Sequence, residues 1–162
     1  MSLQEWCAWL ENSRVGLAVA ESGWLFPTLE TVHVLAITLV VGSIAMIDLR
    51  LLGLSSRHIA VSRLSEDTLP FTWIAFALAV ASGALLFTSN ATHYYDNWPF
   101  RAKLCLIAVA GLNMLLFQKF VLKDVRQWDL GQPAPGVARL AGGLSLVLWI
   151  GVVTLGRWIA FV

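Results

Sequence analysis

An ionisable side chain inside an apolar stretch is the first place to look for chemistry, because at membrane depth it costs several kcal/mol unless paired or hydrated. Glu30, His33, Lys103 and Arg157 are four such residues in this chain. Glu30 and His33 are three apart, which places them on one helix face. A neutral imidazole must satisfy both a donor and an acceptor, and apolar surroundings supply neither. His33 is therefore the leading candidate, as a haem or metal ligand or as a proton-transfer group. Glu30 and Arg157 form a candidate ion pair beside it, and Lys103 falls in the same layer. The plainer alternative is that Arg157 and Lys103 snorkel to the interface while Glu30 favours a helix N-terminus.

Electron-transfer haems commonly use two axial ligands, often histidines. His93 is the only histidine that could join His33 on the same side, yet six residues at 1.5 Å each put it roughly 9 Å higher. A second ligation through His93 requires the second span to run past Thr88 and tilt inward. A haem b, a five-coordinate haem, a quinone and no cofactor at all stay open. Asn113 is the other polar group at depth and is expected to make an interhelical hydrogen bond. The candidate cofactor-binding set is thus His33, Glu30, Arg157, His93, Lys103 and Asn113, with His33 also the candidate metal ligand and no catalytic residue evident. Asp48 and Arg50 are expected to anchor the end of the first span and pair with loops, and His58 reads as a solvated surface residue. Cys7 and Cys105 are expected to be buried small hydrophobes, since no CxxC or Cys/His zinc spacing accompanies them. The chain has no GxSxG, Walker loop or HExxH.

These residues need helices to hold them. A bilayer core of about 30 Å takes about 20 mainly apolar residues, and helices satisfy their own backbone there. Four segments qualify, at about 24–54, 69–88, 99–122 and 137–161, with Pro27 tolerated near a helix start and Asn97 a fitting N-cap for the third. Ahead of them, Ser2 and Glu5 have capping-box spacing, and Trp6, Trp9 and Leu10 recur at helical intervals. This predicts a short interfacial helix over about 3–11. Ala75, Ala79 and Gly83 in the second span, with Gly142, Gly143 and Ser145 in the fourth, provide small contacts for close helix packing. The expected fold is all-α: one integral membrane domain over 1–162, an antiparallel four-helix bundle without a visible internal repeat.

Positive charges favour the cytoplasmic side. Arg50, Arg57, Arg63, Lys119, Lys123, Arg126 and Arg139 fall on one side, against Arg14, Arg101, Lys103 and Arg157 on the other. Both termini and the aromatic 88–98 loop, with Tyr94, Tyr95 and Trp98, are accordingly expected outside. The 123–139 connection, with Gly131, Pro133, Pro135 and Gly136, is a turn-rich link and not a domain boundary. No positive n-region or small-x-small cleavage site marks a secretory signal.

Composition agrees with this placement. The chain has 162 residues, 58% hydrophobic and 13% charged, with mean hydropathy +0.74. Soluble domains carry roughly 25% charged residues, so a soluble monomer is excluded. A formal net charge of +1 leaves no basic reservoir for nucleic-acid binding.

The stretch Glu30-Thr31-Val32-His33, then Gly42, then Asp48-Leu49-Arg50-Leu51-Leu52-Gly53, resembles the first span of an uncharacterised family of small four-span bacterial membrane proteins. Phe100-Arg101-Ala102-Lys103-Leu104, Gly111-Leu112-Asn113, Trp149-Ile150-Gly151 and Gly156-Arg157 extend the resemblance over most of the chain. It implies the fold and a bacterial inner membrane, and no activity. More loosely, the His33-Val34-Leu35 opening is similar to copper-resistance membrane proteins and the di-haem cytochrome b superfamily. The leading functional expectation is a membrane subunit of a respiratory or dehydrogenase-type redox system, holding a haem b or a quinone near the outer leaflet. The alternatives are a non-catalytic anchor or assembly subunit docking a partner protein or a second copy, and, third, a small transporter.

Overall fold

The computed structural model describes residues 2–56, 58–129 and 133–162, apart from the side chains of Asp124, Arg126 and Gln127. Arg57 and Gly131 lie outside the described residues, as does the side chain of Arg126. The described chain is all helical: α1 (Leu3–Glu11), α2 (Arg14–Glu21), α3 (Leu25–Leu51), α4 (Val61–Thr88), α5 (Ala91–Asp96), α6 (Trp98–Leu116) and α7 (Gly136–Trp158). Four helices, α3, α4, α6 with its continuation to Val121, and α7 with its continuation to Phe161, are long and apolar enough to cross a membrane. α3 packs on α4 and on α7, and α7 packs on α6, so α3 and α7 occupy the middle of the bundle.

The local reasons are legible at the helix ends. Ser2 and Glu5 close a reciprocal capping box on α1, Glu5 N–H to Ser2 Oγ at 3.2 Å and Ser2 N–H to Glu5 Oε2 at 2.8 Å. Asn97 caps α6 by accepting from the Phe100 amide at 3.0 Å, and its Nδ2 donates to the Val162 carbonyl at 3.0 Å, which ties down the end of the last helix. α3 stops at Gly53, whose φ of 72° is open to glycine, and the Leu54 amide turns back onto the Leu49 carbonyl. Gly16 of α2 sits against the carbonyls of Leu10, Glu11 and Thr88 so closely that a Cβ would collide with all three.

Three features differ from the sequence expectation. α4 begins at Val61, eight residues before the apolar block, because its first turns are amphipathic: Val61, Leu64 and Ser65 are buried while Arg63, Glu66 and Asp67 face outward. Pro70 falls inside it on an exposed face. A second short helix, α2, follows α1, capped by Ser13 Oγ on the Gly16 amide. Cys7 is buried, as expected, but Cys105 lies on the exposed face of α6; thiol burial depends on which way a uniformly apolar helix is turned, and periodicity is silent there.

The two ends of the bundle are built differently. At one, Ile47, Leu51, Val61, Leu64, Phe117, Val125 and Trp128 form a closed core. Arg50, only 4% exposed, donates through Nε to the Ile59 carbonyl at 2.7 Å and through Nη2 to the Asp129 carbonyl at 3.0 Å. Burial would raise the Asp129 carboxyl, yet the amide and hydroxyl of Ser62 hold it below the usual range. Arg50 thus pairs with loops, as its sequence position suggested. At the other end, Glu11 Oε2 accepts from the Thr92 hydroxyl at 2.6 Å and the Thr92 amide at 3.1 Å, joining α1 to α5.

Two outcomes follow from these fastenings. Arg50→Ala leaves two carbonyls without their donor and removes hydrogen bonds from a charged group, which contribute about 1.5–3 kcal/mol each; a fall in thermal unfolding temperature is expected in detergent, with Arg50→Lys recovering little because an ammonium lacks the fork. The Thr92 hydroxyl, and then its amide, hold the Glu11 carboxyl below the usual glutamate range. Its stabilisation is therefore complete above that range and is lost as pH falls through the lowered value. Amide exchange in α1, corrected for its intrinsic pH dependence, should rise on acidification in the native chain and stay flat in Glu11→Gln.

Candidate functional site

His33 lies on α3 a little over two turns from its start, where α3 meets α4. Its Nδ1 is 3.0 Å from the Ser82 hydroxyl. That hydroxyl is 2.7 Å from the Leu78 carbonyl and 3.3 Å from the Ala79 carbonyl of its own helix. The Ser82 hydroxyl thus has carbonyl acceptors of its own beside His33, and which member of the His33–Ser82 pair donates is set by the imidazole tautomer. The ring also hydrogen-bonds the Ala79 backbone and makes no other side-chain hydrogen bond among the described residues. The position of Gly83 explains how the ring fits: a Cβ there would stand 2.8 Å from His33 Cε1. Gly83 is a notch that receives the imidazole, and Ala75 and Ala79, both buried, carry the same close approach further along α4.

Lys103 of α6 completes the layer from the far side. Its stem runs over Gly156 of α7, with Nζ 3.4 Å and Cε 3.6 Å from where a Cβ would be. It is half-buried inside the bundle, close enough for its charge to act on His33, and no carboxylate pairs with it among the described residues. Glu30, one turn before His33, is exposed. Burial, and then the Glu30 charge, push the Tyr94 phenol up, which places Glu30 beside the ring cluster of Phe87, Tyr94 and Phe100.

The remaining candidates are elsewhere. Arg157 does not pair with Glu30; it is exposed over the Phe161 ring at 5.1 Å, in an open groove with Thr154 and Trp158. Its place near the end of α7 lets it reach past the last turn. His93 lies on the separate helix α5, exposed, with its ring 5.9 Å from that of Tyr94. Because α4 ends at Thr88 instead of running on, His93 is not carried inward to His33. Asn113 donates to the Ala141 carbonyl at 3.0 Å, an α6–α7 hydrogen bond, and is ten residues from Lys103, about 15 Å along the helix axis. It belongs to the opposite end. No three His, Cys, Asp or Glu residues converge among the described residues. The residues at this end thus offer a haem one histidine, where electron-transfer haems commonly use two.

Sequence reasoning missed Ser82 as the partner of His33, although the small-residue step to Gly83 was a signal for the contact. It also assigned Asp48 to anchoring. Asp48 is instead buried, at 5% exposed, with Oδ2 unpartnered.

Residues 6–162 match the model of a family of unknown function, DUF6644. The chain belongs to that family. No curated protein and no solved structure matches it. The DUF6644 match takes in every helix from α2 to α7 and all the candidate residues above.

In this DUF6644 chain the fit of His33 to Gly83 is open to a coupling measurement. Gly83→Ala should swing the imidazole away from Ser82 and lower thermal stability by about 1–3 kcal/mol, an overpacking cost. Ser82→Ala should cost about 1 kcal/mol. On a His33→Ala background the Gly83→Ala cost should largely vanish, and equal costs on both backgrounds would show that ring and glycine are not in contact.

Proposed function

We propose that this chain is a membrane subunit of a redox system, respiratory or dehydrogenase-type, that holds a quinone head group at the His33 end of the bundle. The observation that carries this reading is the donor and acceptor pairing there. A neutral imidazole at His33 carries one donor and one acceptor nitrogen, the Lys103 ammonium is a donor, and the two come from different helices, α3 and α6. A quinone carbonyl needs a donor and a quinol hydroxyl needs an acceptor. Both oxidation states of one ligand are served without moving a helix. The Phe87, Tyr94 and Phe100 rings beside this layer provide apolar, flat surfaces for a ring-shaped ligand. Electrons would come from a partner protein.

A haem b suits the site less well, because His33 would be its lone histidine ligand. The loose likeness of His33-Val34-Leu35 to copper-resistance and cytochrome b proteins supports no more than attention to the same residue. The excess of Lys and Arg on the other side supports a bacterial inner-membrane setting with the termini and His33 toward the outer face. The exposed Trp6, Trp9 and Trp24 at this end favour a partner or the membrane interface as neighbour.

The test is chemical. Protein purified with its lipids should release a quinone into organic solvent and show no Soret absorbance. His33→Ala should weaken binding of added quinone about tenfold, the loss of one good hydrogen bond. A Soret band that disappears in His33→Ala would transfer the site to haem. With neither quinone nor haem, the anchor subunit remains.

A further inference from the structure

The end of the bundle away from His33 holds a second polar centre. A small cavity of about 20 Å³ lies between α3, α4, α6 and α7, lined by Asp48, Ser65, Asn113 and Ser145 among apolar neighbours such as Leu69 and Phe117. A volume of about 10–15 Å³ on this measure admits one water-sized occupant. Asp48 Oδ2 and Ser65 Oγ are both buried without a hydrogen-bond partner, their residues 5% and 3% exposed. Asn113 also lines the cavity, its amide nitrogen donating to the Ala141 carbonyl. Ser145 Oγ lies beside the Asp48 carboxyl.

No cation pairs with Asp48 among the described residues. Asp48 is in the last turn of α3, where the helix dipole is negative and a cation, not a carboxylate, is favoured. Arg50 stands two residues on but spends its Nε and Nη2 on Ile59 and Asp129. The one ion pair formed among the described residues, Arg63 with Asp67, is elsewhere.

We propose that this cavity binds a single dehydrated alkali-metal cation of Na⁺ size, held by oxygens of Asp48, Ser65, Ser145 and Asn113. One negative charge matches a monovalent ion. A divalent ion is a poor match, because Ca²⁺ takes six to eight oxygens and Mg²⁺ keeps several waters, for which there is no room. The occupant both neutralises the carboxylate and partners the Ser65 hydroxyl. Asp48 is three residues from the end of α3, about 4.5 Å of rise, so the site lies near that end of the bundle. The site does not depend on the quinone reading.

The experiment uses the full chain in detergent, with Na⁺ or K⁺ replaced by choline at equal ionic strength. Thermal unfolding temperature should rise saturably with Na⁺ in the native chain. Asp48→Asn should abolish the rise, and Ser65→Ala should raise the half-saturating Na⁺ concentration about tenfold, the loss of one ligand oxygen. A response to K⁺ alone keeps the alkali-ion chemistry and revises the size. Equal unfolding temperatures in Na⁺, K⁺ and choline, or a Na⁺ response that survives Asp48→Asn, overturn the proposal in favour of a neutral Asp48 with a bound water. If Asp48→Asn does not fold, equilibrium dialysis of the native chain against radioactive sodium decides: stoichiometric retention supports the site, and none overturns it.

Discussion

In hydrocarbon a polar side chain has no water to turn to, so each one on a spanning helix must find its partner inside the bundle. α3 meets this condition at three heights along its contact with α4. His33 pairs with Ser82, Ser43 accepts from Thr72 at 2.8 Å, and Asp48 faces the cavity with Ser65. Between the first two levels the seam is closed by Ala36, Val40, Ala75 and Ala79, all buried. The small residues allow the backbones to approach, and the polar pairs fix the register at which they do so. Each level is therefore a consequence of the same requirement, met with different chemistry.

The levels differ in how fully they are satisfied. Ser43 and Thr72 have all they need between them and the carbonyls of Val40 and Thr68. The His33 imidazole has a second ring nitrogen beyond its Ser82 contact, and Asp48 keeps one oxygen free. Unsatisfied capacity at depth is costly, which makes each such group a candidate functional position. That the two open levels are at opposite ends, with a closed one between, argues for two separate sites and against a continuous polar path through the bundle.

Much of this was readable in the chain itself. The four apolar blocks, the Ser2 and Glu5 capping box and the Asn97 cap all depend on local spacing, and the helices begin accordingly. His33 drew attention as an imidazole that needs a polar partner at depth, and Ser82 is 3.0 Å from its Nδ1. The rotation of a helix that is apolar all round is not local information, and this is why Cys105 and Arg157 face outward and why Asp48 faces in. Hydropathy also hid the first turns of α4: with that helix placed from Leu69, Ser65 fell in a loop and could not be weighed against Asp48. Glu30 and Arg157 share an end of the bundle, but a shared end is weaker than contact.

The Arg50 clasp joins positions nine and 79 residues away along the chain. The nearer carbonyl exists as soon as the first two spans form a hairpin, whereas the farther one arrives only after the third has passed through the bilayer. A partly assembled chain accordingly carries a guanidinium with half its acceptors missing at a spot that the finished protein buries. Completion of the bundle is thus recorded in the burial of a single side chain.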